Sequence, residues 1–186
     1  LSGGPNSVFE KGAPGIDRGI FELGVPVLGV CYGMQLMSQE LGGKVQPGEK
    51  REYGKTEMTV EPGNELFKGL PDKFVVWMSH GDRVSAIPDG FKVSATSANC
   101  PYAAIRHEEK RFYGIQFHPE VVHTENGKQI LANFIFLVCG AKADWQLTTW
   151  IDDTVAKLRA QVGDDEVVLG LSGGVDSSVA AVLLHR

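Results

Sequence analysis

The residues around Cys31 combine a thiol with the glycine spacing of a nucleophile site. Gly29-Val30-Cys31-Tyr32-Gly33 stands between an apolar run at 25–30, which predicts a buried strand, and a helical pattern at 33–41. This is the G-x-S-x-G elbow with Cys in place of Ser. Glycines let neighbouring backbone pass close, and the helix N-terminus directs N–H groups and partial positive charge at the sulfur. A nucleophilic thiolate is one interpretation, and a small buried cysteine is the other.

A histidine with a carboxylate two residues later could serve that thiol. In "GIQFHPEV", His118 follows an apolar strand and Glu120 follows Pro119, which stiffens the turn. His118 would take the thiol proton and Glu120 would orient the imidazole. A surface histidine at a strand end is the alternative when this segment is considered alone. Cys100 and Cys139 are predicted to be inert.

Backbone groups could complete such a site. The N–H of Tyr32 follows the sulfur directly and could bind the oxyanion that forms when the thiolate attacks a carbonyl. The opening "LSGGP" places Gly3 and Gly4 in a turn, where a free N–H could be a second donor. A plain tight turn explains that segment equally well.

A second candidate site lies in "VVLGLSGGVDSS" at 167–178. A predicted strand at 166–171, a glycine turn and a helix start make an anion cradle from backbone N–H groups and hydroxyls. The Lys of the GxxxxGK[ST] loop is missing, so the ordinary NTPase loop is not indicated. A serine hydrolase elbow also fits at Ser172, but only His185 follows as a candidate base. The predicted ligand-binding residues are Ser172, Gly173, Gly174, Val175, Asp176, Ser177 and Ser178.

The elements that would position these residues predict an α/β chain of two domains. A βα step at 25–41 is typical of a parallel sheet, whereas 44–117 alternates in short runs that favour antiparallel strands. A helix should follow from Asn126 to Gly140, with Ile130 and Leu137 on its apolar face. We predict a first domain at 1–140 and the start of a second α/β domain at 141–186. The latter begins with an amphipathic helix whose apolar face is Ile151, Val155, Leu158 and Val162.

Composition excludes several classes of function. The net charge of the 186 residues is −5 and they contain no Lys/Arg run, so a nucleic-acid partner is not indicated. No apolar stretch approaches the roughly 20 residues of a membrane span, so no membrane partner is predicted. The three cysteines form no CxxC pair, which favours a reducing cytoplasm. The chain opens at Leu1 in a glycine turn and stops within a helical pattern, which predicts a piece of a longer protein.

Four motifs in order, "LSGGP", "GVCYGMQ", "HGD" and "HPE", resemble the class I, triad-type glutamine amidotransferases over about residues 1–138. The resemblance implies a mixed sheet flanked by helices, without its first strand and helix, and glutamine as substrate. It implies that Cys31, His118 and Glu120 form the catalytic triad, and that the N–H groups of Gly4 and Tyr32 form the oxyanion hole. It also implies that Gln35 contacts bound glutamine and that Ser79 and His80 flank it, largely through their backbone.

The motif "SGGVDSS" resembles the PP-loop of the ATP pyrophosphatases, which implies the truncated start of an adenine-nucleotide α-hydrolase-like domain. That implies ATP bound at 172–178, with Asp176 near a Mg²⁺ ion. The two motif sets together resemble the glutamine-hydrolysing GMP synthetase family, which implies ATP, XMP and glutamine as substrates and a homodimer. Two other functions are a catalytically silent amidotransferase-like binding module and a cysteine hydrolase of γ-glutamyl peptides.

Overall fold

The computed structural model describes residues 1–144 and 147–185, which form two compact units. The first unit is Leu1–Ala141 and the second is Lys142–Arg186, of which Arg186 itself lies outside the described residues. We describe each unit separately. The predicted boundary at 140/141 falls one residue from the division between the units, and its meaning as a boundary between two functional domains stays a prediction.

The first unit is built on a six-stranded sheet with the order β1-β6-β5-β4-β2-β3. Only β1 and β6 run parallel, and every other neighbouring pair is antiparallel. The mixed sheet that the family resemblance implies is therefore confirmed, as are the parallel step and the antiparallel strands predicted from the sequence patterns. The strands are β1 (Val27–Val30), β2 (Lys44–Val60), β3 (Lys73–Ala86), β4 (Lys92–Ser97), β5 (Ala104–His107) and β6 (Phe112–Ile115).

Helices cover both faces of the sheet. On one face α1 (Tyr32–Glu40) buries Met34 and Met37 against a cluster that includes Ile105 and Phe112. On the other face α2 (Gly127–Ala132) contributes Ile130 to a larger cluster with Phe117. Short 3-10 helices, Arg18–Glu22 and Glu65–Phe67, complete the unit. Burial of apolar side chains on both faces explains why β1 reads as a continuous apolar run in the sequence.

The helix predicted from Asn126 to Gly140 changes its winding partway. After α2 the chain forms a π-helix, Asn133–Val138, in which the N–H of Cys139 donates to the carbonyl of Phe134 at 2.9 Å. The wider turn rotates the following side chains relative to a 3.6-residue period. Leu137 is consequently 46% exposed, and the prediction that it shares the buried face of Ile130 is wrong.

The second unit contains α3 (Leu147–Val162) and α4 (Val175–His185). The predicted apolar face of α3 is confirmed, since Ile151, Val155, Leu158 and Val162 are each partly buried. The strand predicted at 166–171 is wrong: the segment has no regular structure and Val168 is 98% exposed. A strand needs a neighbour to take its hydrogen bonds, and no described residue pairs with this segment. Among the described helices, none is both long and apolar enough to cross a membrane.

Candidate active site

Cys31 occupies the sharp corner between β1 and α1. Its backbone has φ 50° and ψ −109°, a combination that residues with a Cβ seldom adopt. Such strain costs on the order of 1–3 kcal/mol and persists only where the surroundings enforce it. The N–H of Cys31 donates to the carbonyl of Ile115 on β6 at 2.8 Å, which ties the corner to the parallel strand.

Two flanking glycines make this corner feasible. A Cβ on Gly29 would lie 2.7 Å from the carbonyl oxygen of Gly33, closer than real Cβ atoms approach. A Cβ on Gly33 would collide with the carbonyl of Leu1. The N–H of Val30 donates to that same Leu1 carbonyl at 2.9 Å, so the opening segment lies directly along the elbow. The glycine spacing read from the sequence therefore has a steric cause.

His118 reaches the same corner from the end of β6. Its N–H donates to the carbonyl of Trp77 at 3.0 Å, and the hydroxyl of Thr124 donates to its carbonyl at 2.6 Å. The imidazole Nδ1 is 2.7 Å from Oε1 of Glu120. The hydrogen bond with the Cys31 side chain is the main cause that raises the pKa of His118 to about 9; burial opposes it and Glu120 adds to it. His118 is therefore bonded to Glu120 on one side and lies beside Cys31 at the same corner.

Gly3 and Gly4 lie against the elbow, where their lack of side chains lets the backbone approach closely. A Cβ on Gly3 would lie 2.9 Å from Cε1 of His118 and 3.6 Å from Cβ of Cys31, so Gly3 contacts both predicted catalytic side chains. Gly4 lies against Tyr32, whose ring would be 3.6 Å from a Cβ there. No hydrogen bond in the described part of the chain uses the N–H of Gly4 or of Tyr32. Neither of these two predicted oxyanion donors therefore has a hydrogen-bond acceptor among the described residues.

Cys31 is 4% exposed, yet polar groups surround its sulfur. The Sγ is 3.7 Å from the carbonyl oxygen of Ser79 and 3.7 Å from Nε2 of Gln116. Sequence reasoning missed Gln116, which is fully buried and is the polar exception in the apolar run of 112–117. A polar residue within an apolar run, two residues before His118, is the feature of the sequence that could have identified Gln116 as a site residue.

A cavity of about 540 Å³ opens over the sulfur. Its lining includes the predicted residues Gly4, Cys31, Gln35, Ser79, His80 and His118. Tyr32 is not in the lining, because its hydroxyl turns away and donates to the carbonyl of Pro14 at 2.6 Å. The wall also carries both signs of charge, from Glu10, Arg51 and Asp82. None of these three was singled out as a site residue from the sequence.

Gln35 and His80 turn their side chains into the protein interior. Nε2 of Gln35 donates to the carbonyl of Asp82 at 2.8 Å and to Oε1 of Gln116 at 3.2 Å. Both amide hydrogens of Gln35 are used in these two bonds. A ligand that makes a polar contact with this side chain would therefore bind to its Oε1. The ring of His80 lies between the Asp82 carbonyl and Glu52, and burial lowers its pKa. His80 therefore lines the cavity mainly with its backbone atoms and not with its ring.

The glycine loop of the second unit forms a hydroxyl-rich helix start. The hydroxyls of Ser177 and Ser178 donate to the carbonyl of Gly174 at 3.0 and 2.9 Å, and Oγ of Ser172 is 3.0 Å from that of Ser177. Gly173 adopts φ +82°, which favours glycine. Val175 begins α4 and Asp176 lies in its first turn. The loop gathers hydroxyls and one carboxylate at a helix N-terminus, a setting that suits an anion and its cation.

Comparison with family models agrees with this division of the chain. The model described as glutamine amidotransferase class-I matches residues 1–138, and the model described as NAD synthase matches residues 145–186. The predicted start of an ATP pyrophosphatase-type domain is supported by the second match.

Curated relatives match the whole chain. A protein named GMP synthase [glutamine-hydrolyzing] from Lactobacillus acidophilus is 59% identical over 187 residues, which cover 100% of this chain and 36% of the relative. One with the same name from Maridesulfovibrio salexigens is 54% identical with the same coverage. The chain therefore spans about a third of the length of these relatives.

Solved structures share the fold of the first unit. A protein from Thermoplasma acidophilum, assigned as one of the subunits of a GMP synthase, is 36% identical, with a TM-score of 0.62 over 65% of this chain and 60% of its own. A glutamine amidotransferase from Thermotoga maritima has a TM-score of 0.51 at 23% identity, covering 89% of this chain and 61% of its own, which shows the fold alone. With the family model matching about three quarters of its residues, the chain belongs to the class-I glutamine amidotransferase family.

Proposed function

We propose that the first unit hydrolyses glutamine and that the longer protein uses the ammonia to make GMP. The observation that carries the proposal is the meeting of Cys31, His118 and Glu120 at one corner, where the backbone of Cys31 is strained and Cys31 and His118 line a cavity of about 540 Å³. The names of the relatives, GMP synthase [glutamine-hydrolyzing], support the overall reaction.

The proposed chemistry is acyl transfer through a thioester. His118 accepts the thiol proton, and the Cys31 sulfur attacks the side-chain carbonyl carbon of glutamine. The N–H groups of Gly4 and Tyr32 stabilise the oxyanion, and each such donor is worth on the order of 3 kcal/mol. When the oxyanion collapses, the C–N bond breaks and the His118 imidazolium gives its proton to the leaving ammonia. Water then attacks the thioester with His118 as base, which releases glutamate and restores the thiol.

The raised pKa of His118 suits the first half of this cycle. Once His118 has taken the thiol proton, a pKa of about 9 keeps the imidazolium charged at neutral pH beside the sulfur, so the proton for the leaving ammonia is held in place. Glu120 accepts a hydrogen bond from Nδ1 at 2.7 Å and fixes the ring so that Nε2 faces Cys31.

The lining of the cavity supports an amino acid as the substrate. Arg51 could pair with the α-carboxylate, and Glu10 and Asp82 could pair with the α-ammonium group. Gln35 would contact the ligand through Oε1, and Ser79 and His80 would flank it through their backbone.

The loop of the second unit would contribute to an ATP site in the longer protein. The predicted residues at 172–178 would hold the pyrophosphate, which leaves when ATP adenylates XMP. Mg²⁺ would neutralise phosphate charge, and the carboxylate of Asp176 is the hard oxygen ligand that this loop offers it. Ammonia from glutamine then displaces AMP to give GMP, so the longer protein would act as a carbon–nitrogen ligase. A homodimer and a cytoplasmic location remain predictions.

The decisive experiment separates the two ammonia sources in the full-length protein. Cys31→Ala should abolish GMP formation with glutamine and leave GMP formation with added ammonium unchanged. Cys139→Ala, which removes an exposed thiol, should retain both activities. Equal glutamine-dependent rates in Cys31→Ala and wild type would refute the proposed nucleophile.

Two other functions are separated by simple measurements. A silent binding module would not be alkylated at Cys31 by a glutamine-analogue electrophile. A hydrolase of γ-glutamyl peptides would cleave a panel of such peptides faster than glutamine.

A further inference from the structure

Three potential metal ligands meet beneath the wall of the active-site cavity. Glu52 lies on β2, His80 lies opposite it on β3, and Cys100 lies in the turn between β4 and β5. One ligand atom from each lies within 4.8 Å of the others, and all three residues are buried. The cluster is separate from the catalytic set, which contains Cys31 and His118 but none of these three residues.

The hydrogen bonding of His80 fixes which nitrogen faces the cluster. Nδ1 is 3.0 Å from the carbonyl oxygen of Asp82, and a carbonyl can only accept, so Nδ1 carries the hydrogen. In a neutral imidazole only one ring nitrogen carries a hydrogen, so with Nδ1 as the donor Nε2 is the unprotonated nitrogen. Nε2 therefore presents a lone pair to the carboxylate of Glu52, whose Oε2 is 3.1 Å away. A histidine held by a backbone carbonyl through one nitrogen, with the other free, is the arrangement common among metal-bound histidines.

The facing atoms are left unsatisfied. Both carboxylate oxygens of Glu52 and Nε2 of His80 have no hydrogen-bond partner among the described residues, although the 3.1 Å separation would allow an ion pair. The two groups are close but not aligned for a hydrogen bond. A buried carboxylate without compensation is costly, and two lone pairs at this distance repel unless something positive lies between them. Either a shared proton or a cation must fill that role.

We propose that Glu52, His80 and Cys100 bind a divalent transition-metal ion of the zinc class. The donor set of one oxygen, one imidazole nitrogen and one sulfur matches the ligands that Zn²⁺ takes. The sulfur argues against Mg²⁺ and Ca²⁺, which prefer oxygen ligands alone. Three protein ligands leave one tetrahedral position for water.

Binding must release protons. Cysteine binds a metal ion as the thiolate, so the free, buried thiol of Cys100 must lose its proton when the metal binds. The metal forms its sulfur bond by displacing that proton to solvent, together with any proton shared by Glu52 and His80. Metal affinity therefore increases with pH.

The position of the ion gives it a structural role. It would join β2, β3 and the turn at Ser97–Cys100, where the N–H of Ser97 donates to the carbonyl of Cys100 at 2.9 Å. His80 directly follows Ser79, whose carbonyl contacts the catalytic sulfur at 3.7 Å. The metal would thus stiffen the cavity wall without touching substrate.

The test is a metal titration of full-length protein prepared without an affinity tag and stripped with a chelator. Co²⁺ should give a thiolate-to-cobalt charge-transfer absorption, and Zn²⁺ should abolish it at one equivalent. The absorption should be lost in Cys100→Ser and retained in both Cys31→Ala and Cys139→Ser. Glu52→Gln should bind Co²⁺ about tenfold or more weakly, since it keeps the shape and removes the charge.

Two results would overturn the inference. The first is a wild-type protein that binds neither ion. The second is an absorption that survives Cys100→Ser but disappears in Cys31→Ala, which would place the metal on the catalytic sulfur.

Discussion

Replacement of Cys31 by Ala should lower the pKa of His118 from about 9 towards its ordinary value of 6.5. The hydrogen bond with Cys31 is the largest cause of the raised pKa, and the charge of that sulfur is a further one. Without the sulfur, burial still lowers the pKa and Glu120 still raises it, so the two remaining causes oppose each other. At about 1.36 kcal/mol per pKa unit, the full fall corresponds to about 3 kcal/mol of lost preference for the imidazolium.

The pKa is measured by NMR titration of the imidazole resonances in the full-length protein. The resonance of His118 is identified by its loss in His118→Asn. Glu120→Gln should lower the pKa less than Cys31→Ala does, because Glu120 is the smaller cause. Cys139→Ala serves as a matched control and should leave the pKa near 9.

Cys31 and Glu120 should therefore differ in their effect on the pKa of His118. A pKa that stays near 9 in Cys31→Ala, or that falls further in Glu120→Gln, would show that the sulfur does not hold the proton on His118.

The same pKa predicts a rate effect in wild type. In the proposed mechanism the His118 imidazolium protonates the leaving ammonia, so the release of ammonia in the first turnover should slow as the pH rises above about 9.

Two other substitutions test the support of the sulfur. Gln116→Met removes a hydrogen-bond donor that lies 3.7 Å from the Sγ of Cys31. Because hydrogen bonds to charged groups are worth about 1.5–3 kcal/mol, alkylation of Cys31 by iodoacetamide should slow by roughly 10- to 100-fold at neutral pH. An unchanged alkylation rate would show that the amide does not stabilise the thiolate. Gly29→Ala should lower the melting temperature, because its Cβ would lie 2.7 Å from a backbone oxygen, and a melting temperature equal to that of wild type would show that the elbow has room to relax.

The sequence was most informative where function depends on local geometry. The Gly29–Gly33 spacing predicted a bend because the steric reason lies within five residues, and the structure shows that close approach. His118 and Glu120 could be paired because Pro119 limits how far their side chains can separate. The mixed sheet followed from the change between continuous apolar runs and alternating runs along the chain.

The sequence was least informative where partners lie far apart in the chain. Glu52 and His80 face each other only because β2 has an irregularity between Pro47 and Glu52 that resets its register against β3. One residue more or less in that bulge would turn Glu52 to the other face of the sheet. The segment at 166–171 was wrongly predicted as a strand for the same reason. An apolar run indicates that a segment is suited to burial, but it does not identify the neighbouring element that would pair with it.

Strand β3 contacts both members of the proposed catalytic pair, Cys31 and His118. The carbonyl of Ser79 contacts the sulfur of Cys31, and the carbonyl of Trp77 accepts the N–H of His118. Thr124 fastens the turn after His118 to the same strand. Its Oγ1 accepts from the N–H of Trp77 at 2.9 Å and donates to the carbonyl of His118 at 2.6 Å.

Thr124→Val keeps the shape of this buried side chain and removes both hydrogen bonds. The N–H of Trp77 and the carbonyl of His118 lose a partner, and each unsatisfied buried group costs about 1–3 kcal/mol. We expect a lower free energy of unfolding and, because the turn that carries the imidazole loses one of its attachments to β3, a lower kcat for glutamine with a lowered pKa of His118. Thr56→Val on β2 makes the same change at a threonine that has no hydrogen bond to Trp77 or His118 among the described residues, and it should leave that pKa unchanged. If Thr124→Val loses stability while the pKa of His118 stays near 9, then the approach of the imidazole to Cys31 is set by the elbow and Glu120 rather than by β3.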